Sequence, residues 1–237
     1  MWLNSFALIA QKSVEKMKSI FVMCQRYNKK HICANCENID AFSETDDWDK
    51  LCNFAVSNRT HTMKIMTILA SSIVIFFSHA GDNYSVGNIE VGNTKIVADY
   101  ISEITGADQY EIVTHKYDGM AYTPLINLAK EEANKGELPP YEGEAPDLSK
   151  YDTVFIGGPI WWGTYPQVMF TLFKDINLDG KTVIPFTTHE GSGLANTVQD
   201  VKKAFPKANV KPGFAINGHE VRTGRAKVEK WLKGLGY

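Results

Sequence analysis

Residues Tyr151–Gly163 read YDTVFIGGPIWWG. The apolar run Thr153–Ile156 breaks at Gly157-Gly158-Pro159 into two adjacent tryptophans, Trp161 and Trp162, followed by Gly163. A short apolar run bounded by turn residues has the pattern of a strand buried on both faces, as in a parallel sheet covered by helices. In such sheets ligands bind where loops leave the carboxyl ends of the strands. Two large flat rings in one such loop are costly to leave in water, so a flat ligand is expected to cover them. Neighbouring side chains cannot both point into the same core. One tryptophan is therefore expected to stack on the ligand and the other to fill the core beneath, without the sequence saying which.

Outward from this stretch the chain alternates strand and helix signals. Strands are expected at Ile73–Phe77, Gln109–Thr114, Thr153–Ile156, Thr182–Phe186 and Lys211–Ile216. Helical patterns follow each of them, at Thr94–Ile104, Pro124–Asn134, Tyr165–Asp175, Leu194–Phe205 and Gly224–Leu235. In the last, Val228, Trp231, Leu232 and Leu235 form one apolar stripe. Five strands alternating with five helices imply an α/β fold, a doubly wound parallel sheet covered on both faces with right-handed crossovers. Residues 136–148, rich in proline, glycine and glutamate, are expected to be an acidic surface loop.

The chain has 237 residues, 44% of them hydrophobic and 22% charged. That suits one large domain with a sizeable core, or a domain plus an extension. A net charge of -2 makes no case for nucleic acid as a partner. Residues 81–160 are predominantly acidic and 161–237 predominantly basic, which allows either an acidic rim at the site or two differently solvated surfaces. The strongest apolar run, Ile65–Phe77, contains Thr67, Ser71 and Ser72 and is too short to span a bilayer. The first residues lack positive charge ahead of their apolar run and make a poor signal peptide. A cytoplasmic location is the expectation.

Residues 1–62 differ in kind. Phe6, Ala10, Val14, Met17, Phe21 and Cys24 recur at helical spacing, so Asn4–Gln25 is expected to be amphipathic, and a second short helix is expected from Thr45. All four cysteines lie here: Cys24, Cys33, Cys36 and Cys52. Cys33 and Cys36 have the spacing of a metal knuckle, which His31, Cys24 and Cys52 could complete. One CxxC without a second pair is weak, and ordinary reduced thiols are the plainer reading. The division expected is an N-terminal, partly helical extension over 1–62 and a cysteine-free domain over 63–237. Met63 and Met66, just ahead of the first strong strand, are an alternative start. A domain without cysteine fits a reducing compartment.

Three loops at one sheet edge carry the candidate chemistry. The first is Ser78-His79-Ala80-Gly81, then an insertion, then Gly92-Asn93-Thr94 opening a helix. Hydroxyls, small residues and a helix N-terminus suit a phosphate monoester, because unpaired N–H groups and the macrodipole favour its charge. Asn93 or Thr94 as a simple helix cap is the alternative. Lys95 is the only cation nearby in sequence. Neither the Walker pattern nor GxGxxG is present. The second loop is Pro159-Ile160-Trp161-Trp162-Gly163, where Gly157, Gly158 and Gly163 permit a peptide that can turn over. The third, Thr188-His189-Glu190-Gly191-Ser192-Gly193, offers backbone donors to the edge of a pyrimidine-like ring. His189 is either a proton relay or an ordinary loop residue. No serine triad or carboxylate pair stands in a convincing setting.

With FFSHAG, GNTKIVADYI, YDTVFIGGPIWWGTYP and GKTVIPFTTHEGSG in place, the chain from about Ile73 to Tyr237 resembles the flavodoxin family, in particular bacterial flavodoxin-like proteins of the PIWWG and THEGSG type. The resemblance implies a five-stranded parallel sheet in the order 2-1-3-4-5 with FMN at its carboxyl edge. It implies phosphate contacts from the first loop at Ser78, Ala80, Asn93 and Thr94, with His79 beside them. It implies ring contacts from Pro159, Ile160, Trp161, Trp162 and Gly163, and further contacts from His189, Gly191 and Gly193. In flavodoxins a carbonyl of the loop after strand three turns toward N5 of the flavin, which points here to Gly163 or the Trp162–Gly163 peptide. Two features depart from the family. Residues Asp82–Val91 interrupt the phosphate loop, and are expected to arch over the phosphate or bring Tyr84 to the cofactor. The fourth-strand loop lacks the tyrosine that covers the outer flavin face in many flavodoxins, which leaves that face open to a substrate.

The function so implied is that of an FMN-binding, one-electron carrier between redox partner proteins. The alternative is an FMN-dependent reductase that takes hydride from NAD(P)H and acts on a quinone or other small acceptor. The absence of a separate nicotinamide fingerprint leans toward the carrier. A flavin-free binding module on the same fold is the third class.

Overall fold

The computed structural model describes residues 72–237. The expectations for residues 1–62, including both helices, the Cys33 and Cys36 metal candidate and the boundary between 62 and 63, lie outside the described residues. Strand β1, Ser72–Phe77, is buried along its whole length. Its side chains alternate between two cores as a pleated strand dictates. Ile73, Ile75 and Phe77 join one and Val74 and Phe76 the other. A strand with two apolar faces is stable only between two helical layers, and the chain supplies both.

Two short strands follow, β2 (Gly81–Asn83) and β3 (Gly87–Ile89), paired antiparallel. The insertion expected between the halves of the first loop is thus a hairpin. Its tip needs left-handed backbone at Ser85 (φ 65°) and Gly87 (φ 72°). Then come α1 (Asn93–Thr105), β4 (Asp108–Ile112), α2 (Tyr122–Lys135), β5 (Thr153–Pro159), α3 (Gln167–Asp175), β6 (Thr182–His189), α4 (Thr197–Ala204), β7 (Asn209–Val210), β8 (Phe214–Asn217), a 3-10 turn (Gly218–Thr223) and α5 (Arg225–Leu235).

The sheet runs β4-β1-β5-β6-β7, with β8 also on β6, and every pairing in it is parallel. This is the expected 2-1-3-4-5 order, with one change at the fifth position. Of the expected strand Lys211–Ile216 only the end from Phe214 is strand, in β8, and a separate two-residue strand, β7, lies just ahead of the expected range. β7 pairs with Thr182 and Val183, and β8 with Phe186–His189. The gap falls opposite Pro185, which has no N–H to give a ladder, and contains Pro212, which has none either. Val97, Ala98 and Ile101 of α1 and Val228 and Leu232 of α5 cover one face. Leu125 of α2, Val168, Met169 and Leu172 of α3 and Val201 of α4 cover the other.

The double glycine of the opening stretch lies inside β5 and not in the loop beyond it. A Cβ at Gly157 would stand 1.9 Å from the Phe186 ring, and one at Gly158 2.6 Å from Met169 Sδ. These two glycines therefore serve close packing of the strand rather than peptide rotation. Among the described residues no helix is long and apolar enough to cross a membrane, and no three metal-ligating side chains converge.

Candidate functional site

A parallel sheet sends the loops after β1, β5 and β6 out of one edge, and here they enclose a cleft of about 340 Å³. Its first wall is the N-terminus of α1. Gly92 caps that helix without a side-chain hydrogen bond, and the first turn carries no acidic residue. A Cβ on Gly92 would lie 2.2 Å from Ser78 Oγ and 2.7 Å from the His79 carbonyl oxygen, so only glycine lets the two halves of the loop meet. The Lys95 N–H donates to Ser78 Oγ (3.0 Å) and the Ile96 N–H to the Gly92 carbonyl (3.4 Å). The N–H groups of Asn93 and Thr94 come ahead of these in a first turn that has no intrahelical acceptors. Asn93 Oδ1 is buried without a hydrogen-bond partner. Thr94 Oγ1 lies 2.7 Å from Thr188 Oγ1, which ties α1 to the end of β6.

The tryptophan loop is a tight reverse turn. Trp161 and Thr164 exchange backbone hydrogen bonds at 2.9 and 3.3 Å, and the two residues between them, Trp162 (φ 53°) and Gly163 (φ 84°), are both left-handed. Two positive φ values at the central positions define a type I′ turn. The turn directs the two indoles apart. Trp161 meets Phe77, Tyr117 and His79 edge-on, with ring centroids 5.7, 5.0 and 5.9 Å away, and so rests on the core. Trp162 is 50% exposed. Its Nε1 donates to the Ile126 carbonyl on α2 (2.7 Å), and Lys130 Nζ stands 4.6 Å from its ring centroid.

The end of β6 supplies Thr188 and His189, and the loop after it Glu190 and Ser192. The Gly191 N–H donates to His189 Nδ1 (2.9 Å). That bond requires a free lone pair on Nδ1 and so the neutral ring with its proton on Nε2. Burial holds the His189 imidazole below its ordinary value, in the same sense. Glu190 receives the His219 N–H (2.9 Å) and pairs with His219 Nδ1 (2.7 Å), which joins this loop to the 3-10 turn after β8.

Of the residues singled out in the sequence, His79, Asn93, Thr94, Pro159, Ile160, Trp161, Trp162 and His189 meet at this cleft. Ser78 and Ala80 border a second cavity of about 380 Å³, between the loops after β1 and β4, which shares His79 with the first. Gly163, Gly191 and Gly193 line neither cavity. They shape the loops through positive φ values of 84, 108 and 60°. Sequence reasoning missed the part of the cleft lined by Tyr122, Leu125, Ile126 and Ala129 of α2, whereas Tyr84, which lines it with Asp82 and Asn83 of the hairpin, is where one of the two expectations for the insertion put it. A signal existed for the helix: 122, 125, 126 and 129 recur at spacings of three and four on one face.

Comparison with known proteins agrees with the architecture. No curated protein matches the chain by sequence. The family model for flavodoxin matches residues 84–235. Among solved structures, a candidate flavoprotein of Bacteroides eggerthii is 27% identical, with a TM-score of 0.55 over 71% of this chain and 99% of its own. Another from Bacteroides uniformis is 27% identical, with a TM-score of 0.57 over 69% and 98%. A flavoprotein of Lactobacillus acidophilus solved in complex with FMN is more distant, at 20% identity and a TM-score of 0.48 over 65% and 97%. The family match spans well over half of the sequence and includes two of the three loops of the cleft, so the chain belongs to the flavodoxin family, whose cofactor is FMN.

Proposed function

We propose that the cleft holds FMN and that the protein is a one-electron carrier between larger redox partners. The observation that supports this best is that an uncapped helix N-terminus and a half-exposed tryptophan border one cleft. The residues present suit the cofactor. Asn93 Oδ1 is a buried acceptor without a donor, which a ribityl hydroxyl of FMN, and not its phosphate, would supply. The start of α1 offers N–H groups and a favourable dipole to a phosphate monoester, with Thr94 as a neutral hydroxyl beside them. Ser78 is engaged by the Lys95 N–H and contributes by bracing that turn.

FMN, when bound, supplies the one-electron chemistry. The chain's part is to bind and orient it. In this reading Trp162 stacks on the ring, while Trp161, held edge-on by three aromatic neighbours, is the floor. The peptide between Trp162 and Gly163 is the one whose carbonyl can turn. Rotating it would convert a type I′ turn into type II′, which changes the sign of φ at Gly163 and puts Trp162 at a first central position that favours glycine, so the rotated state is strained at Trp162. Only glycine tolerates both signs, as at Gly163. The Asn196 N–H holds the Gly163 carbonyl at 3.0 Å, so the next peptide stays fixed while this one moves.

The test begins with colour. Purified protein is expected to carry flavin absorbance or to take up added FMN, and Trp162→Ala is expected to weaken FMN on the order of tenfold. Unchanged affinity in that variant would remove the stacking role. Anaerobic mixing with NADPH then separates carrier from reductase. A carrier shows no rapid bleaching, and rapid bleaching would make the protein an NAD(P)H-dependent enzyme acting on a quinone or similar acceptor.

A further inference from the structure

The tip of the β2–β3 hairpin presents a tyrosine that contributes little to the core. Tyr84 is 61% exposed. Its ring nevertheless stacks against that of Tyr122, with centroids 5.8 Å apart and an interplanar angle of 29°. The pair is held from beneath. Asp82 Oδ2 accepts the Tyr122 N–H (2.9 Å), and Asn83 Nδ2 donates to the Gly81 carbonyl (3.1 Å), so the root of the hairpin is fastened to the start of α2. Both tyrosines border the same cleft as Trp162.

Helix α2 sets their spacing. Tyr122, Ile126 and Lys130 follow one another at i, i+4 and i+8 and share a stripe of the helix. The tyrosine pair stands at the first of these positions, and Trp162 is fastened to the second through its bond to the Ile126 carbonyl. Four residues advance a helix by about 6 Å. Trp162 and the tyrosine pair thus stand one helical turn apart along α2, and all three border the same cleft. The loop after β6 brings no tyrosine or tryptophan to the cleft, so neither residue type stacks on a flat ligand from that side.

We infer that Tyr84 and Tyr122 form the second aromatic platform of the cleft, covering the flavin ring on the side Trp162 leaves bare, with the hairpin as its clip. The inference rests on the FMN reading above. The platform contacts only the ring, so its contribution is blind to the phosphate, whereas the start of α1 acts on the phosphate alone. Binding of FMN and of riboflavin, followed by quenching of flavin fluorescence, distinguishes them. Tyr84→Ala in the full chain is expected to weaken both ligands by the same factor, on the order of tenfold. Tyr84→Phe, which keeps the ring, is expected to bind as the wild type does. Tyr122→Ala should match Tyr84→Ala provided its thermal unfolding is unchanged. Tyr84 sits at an exposed tip, so its variant carries the test if Tyr122→Ala does not fold. Unchanged affinity of Tyr84→Ala for both flavins, or a loss confined to FMN, overturns the inference and leaves the FMN reading standing. A wild-type protein that binds neither flavin overturns both.

Discussion

Trp162 adopts a left-handed backbone (φ 53°) that costs a residue with a Cβ about 1–2 kcal/mol relative to its ordinary conformations. Two contacts offset that cost, the indole hydrogen bond to Ile126 and the cation of Lys130 over the ring. Both hold the side chain on α2, at the rim of the cleft. Strain fixed in place by outside contacts is common at binding sites, where it keeps a group oriented before the ligand arrives. His79 is a second side chain under constraint. Its Nε2 is buried without a partner, and burial holds the imidazole below its ordinary value, outweighing the pull of Asp118 and Asp82 toward the charged form. The unfolded chain thus takes up a proton that the native protein refuses. This stability is fully present above about pH 6.5, the unfolded value, and is lost as pH falls through the depressed native value. Urea unfolding of the flavin-free protein at about pH 7.5 and pH 5.5, on either side of that value, should show a smaller acid loss in His79→Gln than in the wild type. His189 is depressed in the same direction and keeps its own share in the variant.

Helix α2 and the hairpin form one unit. The helix begins at Ala121 without a side-chain cap of its own. Asp82, forty positions earlier, supplies one by accepting the Tyr122 N–H. A carboxylate at a helix N-terminus also meets the positive end of the macrodipole. Asp82→Ala is expected to lower stability by about 1 kcal/mol, read as a shift in urea midpoint without a change in slope. At its other end α2 buries Glu132, which receives the Tyr117 hydroxyl (2.8 Å) and pairs with Lys116 (2.8 Å). Tyr117 in turn abuts Trp161. Both ends of the helix are thereby connected to the cleft. The helix was legible in the sequence from its periodicity, but its contribution to the site was not. Its apolar face reads as core whether a sheet or a ligand lies against it.

For the whole molecule, a ligand that binds only the native state raises stability by mass action. At a hundredfold excess over its Kd, FMN is expected to contribute about 2.7 kcal/mol, which moves the melting temperature by roughly 5–10 °C for a domain of this size. Riboflavin at the same concentration should give a smaller shift, because it leaves the start of α1 without an anion. Equal shifts would show that the phosphate contributes nothing. The sheet itself would change little, since the cores on its two faces are complete without the cleft.

The sequence by itself determined the alternation of strands and helices, the strand order through the family resemblance, and the three loops that meet at the sheet edge. These are local signals. Runs such as SIVIFF and TVFIGGP declare a strand buried on both faces. The tertiary structure decided what depends on residues distant in the chain. The approach of Phe186 and Met169 explains why Gly157 and Gly158 carry no side chain. The partners of the two indoles separate the one on the core from the one at the rim. The fastening of Asp82 to Tyr122 turns an inserted segment into a wall of the cleft. Hydrophobic periodicity records which face of an element is covered, whereas these contacts depend on which other element covers it, and that is set only when the chain has folded.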